Sequence, residues 1–134
     1  MAVTSSEGGD IEFVVRVDAV GLRRLYENVR SVLLERGCHL VDAVAVLRVL
    51  ERLVAVSIDR DAKRLRVCVR VTATCTRVEV IDRRRPNPRT GLPSGVVAPE
   101  VARRSGADLV AAGGGVMLWA IVDRVLSTDE PRTA

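Results

Sequence analysis

Residues 64–82 read RLRVCVRVTATCTRVEVID, and this stretch decides the fold of the chain. Apolar side chains alternate with arginines and a cysteine, which is the period of a strand with one buried face. The inward positions are Leu65, Val67, Val69 and Val71. A tight turn near residues 73–74 then returns the chain as a second strand over residues 77–82. The sequence therefore predicts a hairpin that packs one face on a core.

The segment before this hairpin predicts a strand followed by two helices. Odd positions of residues 11–17 are apolar, which predicts a half-buried strand, and Asp18 is placed to cap the next element. Apolar residues recur at helical spacing over 22–33, and Gly37 ends that helix. A second helix, over about 40–56, is apolar enough to lie centrally and to be covered on most sides.

The segment after the hairpin predicts a long loop, a short helix and two strands. Residues 83–95 hold three consecutive arginines and three prolines, and a loop of this length is typical of a lid or a binding loop. Pro99 suits the first turn of a helix that Gly106 closes. Strands over 107–112 and 116–123 follow, joined by a run of three glycines.

The predicted order of elements is β-α-α-β-β-α-β-β. Strands with one apolar face, and three helices to cover them, indicate a two-layer α/β sandwich. We expect a mixed sheet with the three helices on one face. The domain should span residues 11–126, between a flexible N-terminal tail at 1–10 and a flexible C-terminal tail at 127–134.

Composition sets limits on the class of protein. A chain of 134 residues that is 48% hydrophobic and 28% charged is typical of one globular domain. No apolar run approaches the roughly 18 residues of a membrane helix, and the polar N-terminus is unlike a secretory signal. Three cysteines without a C-x-x-C pair favour reduced thiols and a cytoplasmic protein. With 2% aromatic residues, a base-stacking platform is not expected.

Positive charge is concentrated in one segment. Residues 83–104 hold six arginines against Glu100 alone, a local sum of +5 in a chain whose total is +4. Such a patch attracts phosphate, nucleic acid or an acidic protein surface. The partner-binding candidates are Arg83, Arg84, Arg85 and Arg89.

Glu51 is the first residue that could carry chemistry. Leu40, Val44, Leu47, Glu51 and Val54 step by four and three, so we expect the carboxylate to share a face with the core stripe. There it could serve as a base or a ligand in an internal cavity. The alternative is a Glu at the edge of the stripe that pairs with Arg48.

Asp82 is the second such residue. It falls on the same strand face as Val78 and Val80, so it should point toward the helices beside the basic loop. A buried Asp at a strand end is a common ligand position. The alternative is an Asx-type turn, or an ion pair with the arginines at 83–85. The sequence contains one histidine, no zinc-like spacing and no Ser-His-Asp or Cys-His arrangement, so we expect no metal site.

The order of elements, with Glu51 on the second helix and Asp82 ending a hairpin strand, resembles the GHKL (histidine-kinase-like) ATPase domain. The likeness is closest to the small bacterial anti-sigma-factor serine kinases and related ATP-binding regulators, and implies a Bergerat-like fold. DAVGLRRLYENVR, at 18–30, looks like the family's first helix. VARRSGAD, at 101–108, and GGGVMLWA, at 113–120, look like its last helix and closing hairpin.

The nucleotide motifs of that family are altered here. Glu51 matches the family's helix Glu, but the Asn that holds Mg²⁺ is Ala55, and a methyl group cannot coordinate a hard cation. Asp82 matches the Asp that reads adenine, but the two following glycines are Arg84 and Pro86, which add bulk and remove an N–H. Gly91 and Gly95 stand where the resemblance places the lid's glycine motif.

The resemblance implies a regulator with a degenerate nucleotide site, in which Glu51 is a vestigial base. We expect it to act by protein–protein binding in a partner-switching circuit, with a sigma factor or an anti-sigma antagonist as partner and a second copy of the chain as an alternative. No cofactor is expected. The alternative is an active ATP-dependent serine protein kinase that uses ATP and Mg²⁺. A third hypothesis is a basic nucleic-acid-binding module, against which the lack of aromatics counts.

Overall fold

A computed structural model describes residues 2–5, 10–84, 91–93, 102, 104–110 and 115–125. Six strands and two helices are assigned within these residues. In chain order they are β1 (Ala2–Ser5), β2 (Asp10–Arg16), α1 (Ala19–Glu35), α2 (Leu40–Asp59), β3 (Arg64–Val71), β4 (Cys75–Asp82), β5 (Arg104–Leu109) and β6 (Val116–Asp123).

The strands form one sheet in the order β1-β2-β3-β4-β6-β5, and each neighbouring pair is antiparallel. The hairpin predicted from residues 64–82 is present as β3 and β4, and the backbone N–H of Thr72 donates to the carbonyl of Cys75 across its turn, at 2.9 Å. β4 pairs with β6 along its whole length, from Cys75 opposite Asp123 to Asp82 opposite Val116. The sheet is thus built around the predicted hairpin.

Both helices pack on one face of this sheet and enclose the core between the layers. α1 contacts β2 and α2, while α2 contacts β4 and β6. The alternation predicted for β2, β3 and β4 is confirmed, since their inward side chains are buried and Phe13 is fully so; β6 alternates in the same way. The two-layer α/β arrangement is therefore confirmed in its coarse form.

The helix boundaries follow local signals in the sequence. The Asp18 carboxylate accepts a hydrogen bond from the backbone N–H of Gly21 at 2.7 Å and caps α1 as predicted. Gly37 has φ 86° after the end of α1, and Asp61 has φ 61° after the end of α2. Each helix ends in a Schellman motif; in α2 the Asp61 N–H donates to Ile58 and the Ala62 N–H donates to Ser57, at 2.8 and 3.1 Å.

Four expectations about the fold are wrong. The sheet is antiparallel throughout its described pairs rather than mixed. The short helix expected to close at Gly106 is absent there, because residues 104–106 pair with β6 as part of β5; the start of that helix lies mostly outside the described residues. Ala2–Ser5, placed in a flexible tail, forms an edge strand against β2. The order over the described residues is accordingly β-β-α-α-β-β-β-β, while the tail at 127–134 lies outside them.

The fourth correction concerns how far α2 is covered. Leu40, Val41 and Val44 are 54%, 59% and 44% exposed, so the start of this helix is not covered on most sides. In the part of the chain that the structure describes, α2 is packed by the sheet on one side and by α1 on another. These two contacts leave several apolar side chains of α2 exposed.

The second face of the sheet, which we call the open face, carries no helix among the described residues. Cross-strand ion pairs lie on it: Arg66 to Glu12 at 3.1 Å, and Arg70 to Asp10. Trp119 lies on this face across from Gly106, where a Cβ would come within 2.9 Å of the indole. Gly106, which was expected to end a helix, therefore leaves the space that the Trp119 indole occupies.

Candidate functional site

Asp82 is buried at the end of β4, as predicted. Its side chain is on the inward face with Val78 and Val80, and the residue is 2% exposed. Its Oδ1 accepts a hydrogen bond from the backbone N–H of Arg84 at 3.0 Å, which is the Asx-type turn weighed as an alternative. Its Oδ2 lies 3.9 Å from Nη1 of Arg60, so among the described residues the paired cation comes from the end of α2 rather than from Arg83 or Arg84.

The second oxygen of Asp82 is unusual for a buried carboxylate. Within the described residues Oδ2 accepts no hydrogen bond. A buried acceptor without a donor costs roughly 1–3 kcal/mol, more when it is charged. The Arg60 guanidinium offsets part of this cost through its charge. A ligand N–H at this position would supply the missing donor.

Arg84 is anchored by its side chain. Its Nη1 donates to the backbone carbonyls of Arg60 and Asp61 at 2.7 and 2.6 Å. These carbonyls lie at the C-terminal end of α2, where a cation is favoured by the helix dipole. Arg84 therefore ties the residues after β4 to the end of α2, and its guanidinium is already in use.

Glu51 is exposed, and the expectation that it shares a face with the core stripe is wrong. The buried side of α2 runs instead through Val46, Leu50 and Leu53. Two apolar stripes can be drawn through so apolar a helix, and packing against the sheet selects this one. The charge of Glu51, after burial, raises the pKa of Tyr26, which places the carboxylate beside α1.

The residues matched to the nucleotide motifs lie at separate places along α2 and after β4. Arg60, which contacts Asp82, lies nine residues after Glu51, or about 13 Å along the helix axis. Ala55 is exposed on α2. Gly91 is exposed with φ 65°, and a Cβ there would meet nothing within 4 Å. Gly95, Arg85 and Arg89 lie outside the described residues.

A cavity of about 490 Å³ lies at the ends of β2, β3 and β4, beside Asp82. We call it the sheet-end pocket. Its apolar lining comes from Val14, Leu65 and Ile81, and its cationic lining includes Lys63, Arg64 and Arg83. Arg83 and Arg84 are both exposed and both line it, so the start of the predicted basic segment borders this pocket, whereas Arg104, on β5, does not line it.

A second polar cluster, which the sequence argument missed, lies at the opposite end of the sheet. Asp42 is 2% exposed, and its Oδ1 accepts from the backbone N–H of Val125 at 2.8 Å. Arg124 donates to the carbonyls of Thr72 and Gly37 at 2.9 and 3.1 Å. The one available signal was a carboxylate in the apolar first two turns of α2. This cluster joins the end of β6 to the start of α2 and to the β3–β4 turn, which is a structural task.

The described residues show neither a metal-binding cluster nor a membrane-spanning helix. They contain no group of three or more His, Cys, Asp or Glu side chains that could hold a metal ion. Neither helix is long and apolar enough to cross a membrane. Burial and the charges of Glu12 and Glu79 raise the pKa of the Cys68 thiol to about 11, so this thiol on the open face is protonated near neutral pH.

Comparison with protein-family models yields no match to this chain, and no curated protein sequence matches it either. The assignment of function therefore depends on the residues themselves.

Proposed function

We propose that this chain is a regulatory protein of the GHKL type that acts by protein–protein binding and whose nucleotide site is degenerate. The observation that carries the proposal is the position of Arg84. Its backbone N–H occupies Oδ1 of Asp82, and its guanidinium is bonded to the end of α2. The resembled family has glycine at this position, which leaves room for the base. Here an arginine stands at that position, and its side chain is held against the end of α2.

The residue at the position of the family's Mg²⁺ ligand supports the same proposal. Mg²⁺ prefers oxygen ligands in a near-octahedral arrangement, and Ala55 offers none from its side chain. Phosphoryl transfer depends on positioning and on charge stabilisation by that ion. Glu51, exposed and beside α1, is poorly placed to act as a base next to Asp82. Ala55 and Glu51 thus support a protein that keeps the fold without the catalysis.

The proposed partner is a sigma factor or an anti-sigma antagonist that presents an acidic surface. Arg83, with the basic segment that follows it, would provide the complementary charge. Exposed charges are screened beyond about 8 Å at physiological ionic strength. The association rate at such an interface should therefore fall as the salt concentration rises.

Isothermal titration calorimetry with ATP, with and without Mg²⁺, tests the degenerate site. We expect a Kd of about 0.1 mM or weaker, with little dependence on Mg²⁺ and no phosphorylation of a sigma factor or antagonist. Ala55→Asn should add Mg²⁺ dependence, whereas Val56→Asn on the neighbouring, partly buried position should not. Micromolar, Mg²⁺-dependent binding by the unchanged protein would contradict the proposal.

Interferometry with the candidate partner at 50 and 300 mM salt tests the binding surface. We expect Arg83→Ala to lower the association rate severalfold at low salt, and Arg48→Ala, an exposed arginine on α2, to leave it unchanged. Equal effects of the two variants would show that the surface lies elsewhere. Tight, salt-steep binding to random duplex DNA would favour the nucleic-acid hypothesis instead.

One observation favours the second candidate, an ATP-dependent serine protein kinase. Oδ2 of Asp82 is a buried acceptor that lacks a donor among the described residues, and an adenine amino group could provide one. Under this hypothesis Asp82→Asn abolishes both ATP binding and transfer. The calorimetry and phosphorylation assays above decide between the two candidates.

A further inference from the structure

The register of the sheet places the sheet-end pocket on the open face, away from the helices. Val14 pairs with Arg66, and Arg66 pairs with Ile81, so these three side chains form one row across β2, β3 and β4. Side chains two residues apart share a face, which adds Arg64 beside Arg66 and continues toward Arg83 beyond Ile81. Arg66 therefore lies between the two apolar side chains, Val14 on β2 and Ile81 on β4, and the charges of Arg64 and Arg83 lie toward the end of the sheet.

Some of the cations around this pocket already have a partner within the chain, and others have none among the described residues. Arg66 pairs with Glu12 at 3.1 Å, and Arg84 is bonded to the end of α2. For Lys63, Arg64 and Arg83, no carboxylate of the described part of the chain lies within ion-pair distance. Three positive charges that have no carboxylate partner in the described ranges therefore border one cavity.

The carboxylate in the lining does not cancel this charge. Asp82 is 2% exposed and faces Arg60 on the inner side, at 3.9 Å. Its charge is directed toward the helix layer. The outer side of the pocket keeps an excess of positive charge above an apolar floor.

Volume and lining together define the ligand. About 490 Å³ falls within the roughly 300–1,000 Å³ of small-molecule sites, which are mostly apolar with a few placed polar groups. A neutral ligand would leave the three cations without a counter-charge, and a bare inorganic anion would leave the apolar side chains of Val14 and Ile81 uncovered. We propose that the sheet-end pocket binds a small amphipathic anion, with a carboxylate or phosphate group attached to an apolar body.

This inference goes beyond the proposed function, because it adds a small ligand to a protein-binding regulator. Arg83 belongs both to the pocket and to the proposed partner surface. A bound anion would therefore compete with an acidic partner for the same charge. The ligand assay uses the full chain without any partner, so its outcome is independent of whether the partner proposal holds.

The probes are three small ions, each titrated into the full chain by calorimetry. Decanoate combines a carboxylate with an apolar body, decyltrimethylammonium has the same tail with the opposite charge, and acetate has the charge without the tail. We expect decanoate to bind one to one with a Kd below about 1 mM. The other two probes should bind at least about tenfold more weakly, since each loses one of the two contributions.

Variants locate the site. Lys63→Gln with Arg64→Gln should weaken decanoate binding at least tenfold, and Arg83→Gln alone should weaken it severalfold if the pair reduces folding yield. Arg48→Gln, exposed on α2, is the matched control and should change nothing. Amide chemical shifts should move at Val14, Arg66 and Ile81. Equal affinity for the two decyl probes, no decanoate binding at 10-fold the expected Kd, or an unchanged affinity in the pocket variants would overturn the proposal.

Discussion

Replacing Arg84 with alanine tests whether this arginine is part of the fold rather than a free binding residue. The change removes two hydrogen bonds from a guanidinium to the carbonyls of Arg60 and Asp61. Bonds of this charged kind contribute about 1.5–3 kcal/mol each when buried, and less where water competes, as here. We expect the free energy of unfolding to fall by about 1–2 kcal/mol. That is a large fraction of the roughly 5–15 kcal/mol of a typical domain.

Urea unfolding followed by circular dichroism and by Trp119 fluorescence measures this change, with the slope against urea expected to stay constant. The thermal midpoint should fall by about 3–8 °C. Arg83→Ala, at the neighbouring position, is the control. The Arg83 side chain is exposed, so this substitution should change the free energy of unfolding by no more than about 0.5 kcal/mol. Equal effects of the two substitutions would refute the anchoring role and leave Arg84 available to a partner.

Three further predictions concern single positions. Asp61→Gly should raise the free energy of unfolding by about 0.5–1 kcal/mol in urea melts, because glycine adopts the φ of 61° at the end of α2 without strain; a lower stability would show that the side chain is needed there. Gly106→Ala should destabilise by about 1–3 kcal/mol, since its Cβ would meet Trp119 at 2.9 Å, while Ser105→Ala in the same thermal melts should be near neutral. For Cys68 the native pKa of about 11 exceeds the ordinary 9.0, so the unfolded thiol ionises first. The contribution of this thiol to stability is complete below about pH 9 and should be lost as pH rises toward 11. Cys68→Ser should reduce that loss in urea midpoints at pH 8 and 10, and an identical pH dependence in both proteins would contradict the assignment.

Local patterns predicted the hairpin, both long helices and the limits of α1, because each depends on signals within a few residues; the end of α2, predicted near residue 56, lies at Asp59. Alternation in 64–82 identified β3 and β4, and Asp18 and Gly37 identified the limits of α1. Burial of Asp82 followed from counting by twos along β4. These are cases in which the local preference and the tertiary structure agree.

The errors arose where tertiary pairing overrides a local preference. Residues 104–106 have the composition of a helix end, yet pairing with β6 makes them a strand, and Gly106 is needed there for Trp119. Glu51 was placed on the wrong face because α2 has two apolar stripes and only the packed sheet chooses between them. The bonds from Arg84 to the end of α2 join residues more than twenty positions apart, which no spacing rule in a single sequence reveals.

The pairing of β2 with β3 also sets the order in which the sheet can assemble. Arg16 pairs with Arg64, so this ladder closes around the whole α1–α2 pair, whereas β3 and β4 are joined by the turn at residues 72–74. Closing the longer segment costs about 2 kcal/mol more loop entropy than closing that turn. We expect β3–β4 to form early and β2 to dock late, seen as folding φ-values near zero for Ile11 substitutions and higher values at Val78. Until β2 docks, one edge of β3 is unpaired, and concentrated refolding would meet aggregation at that step.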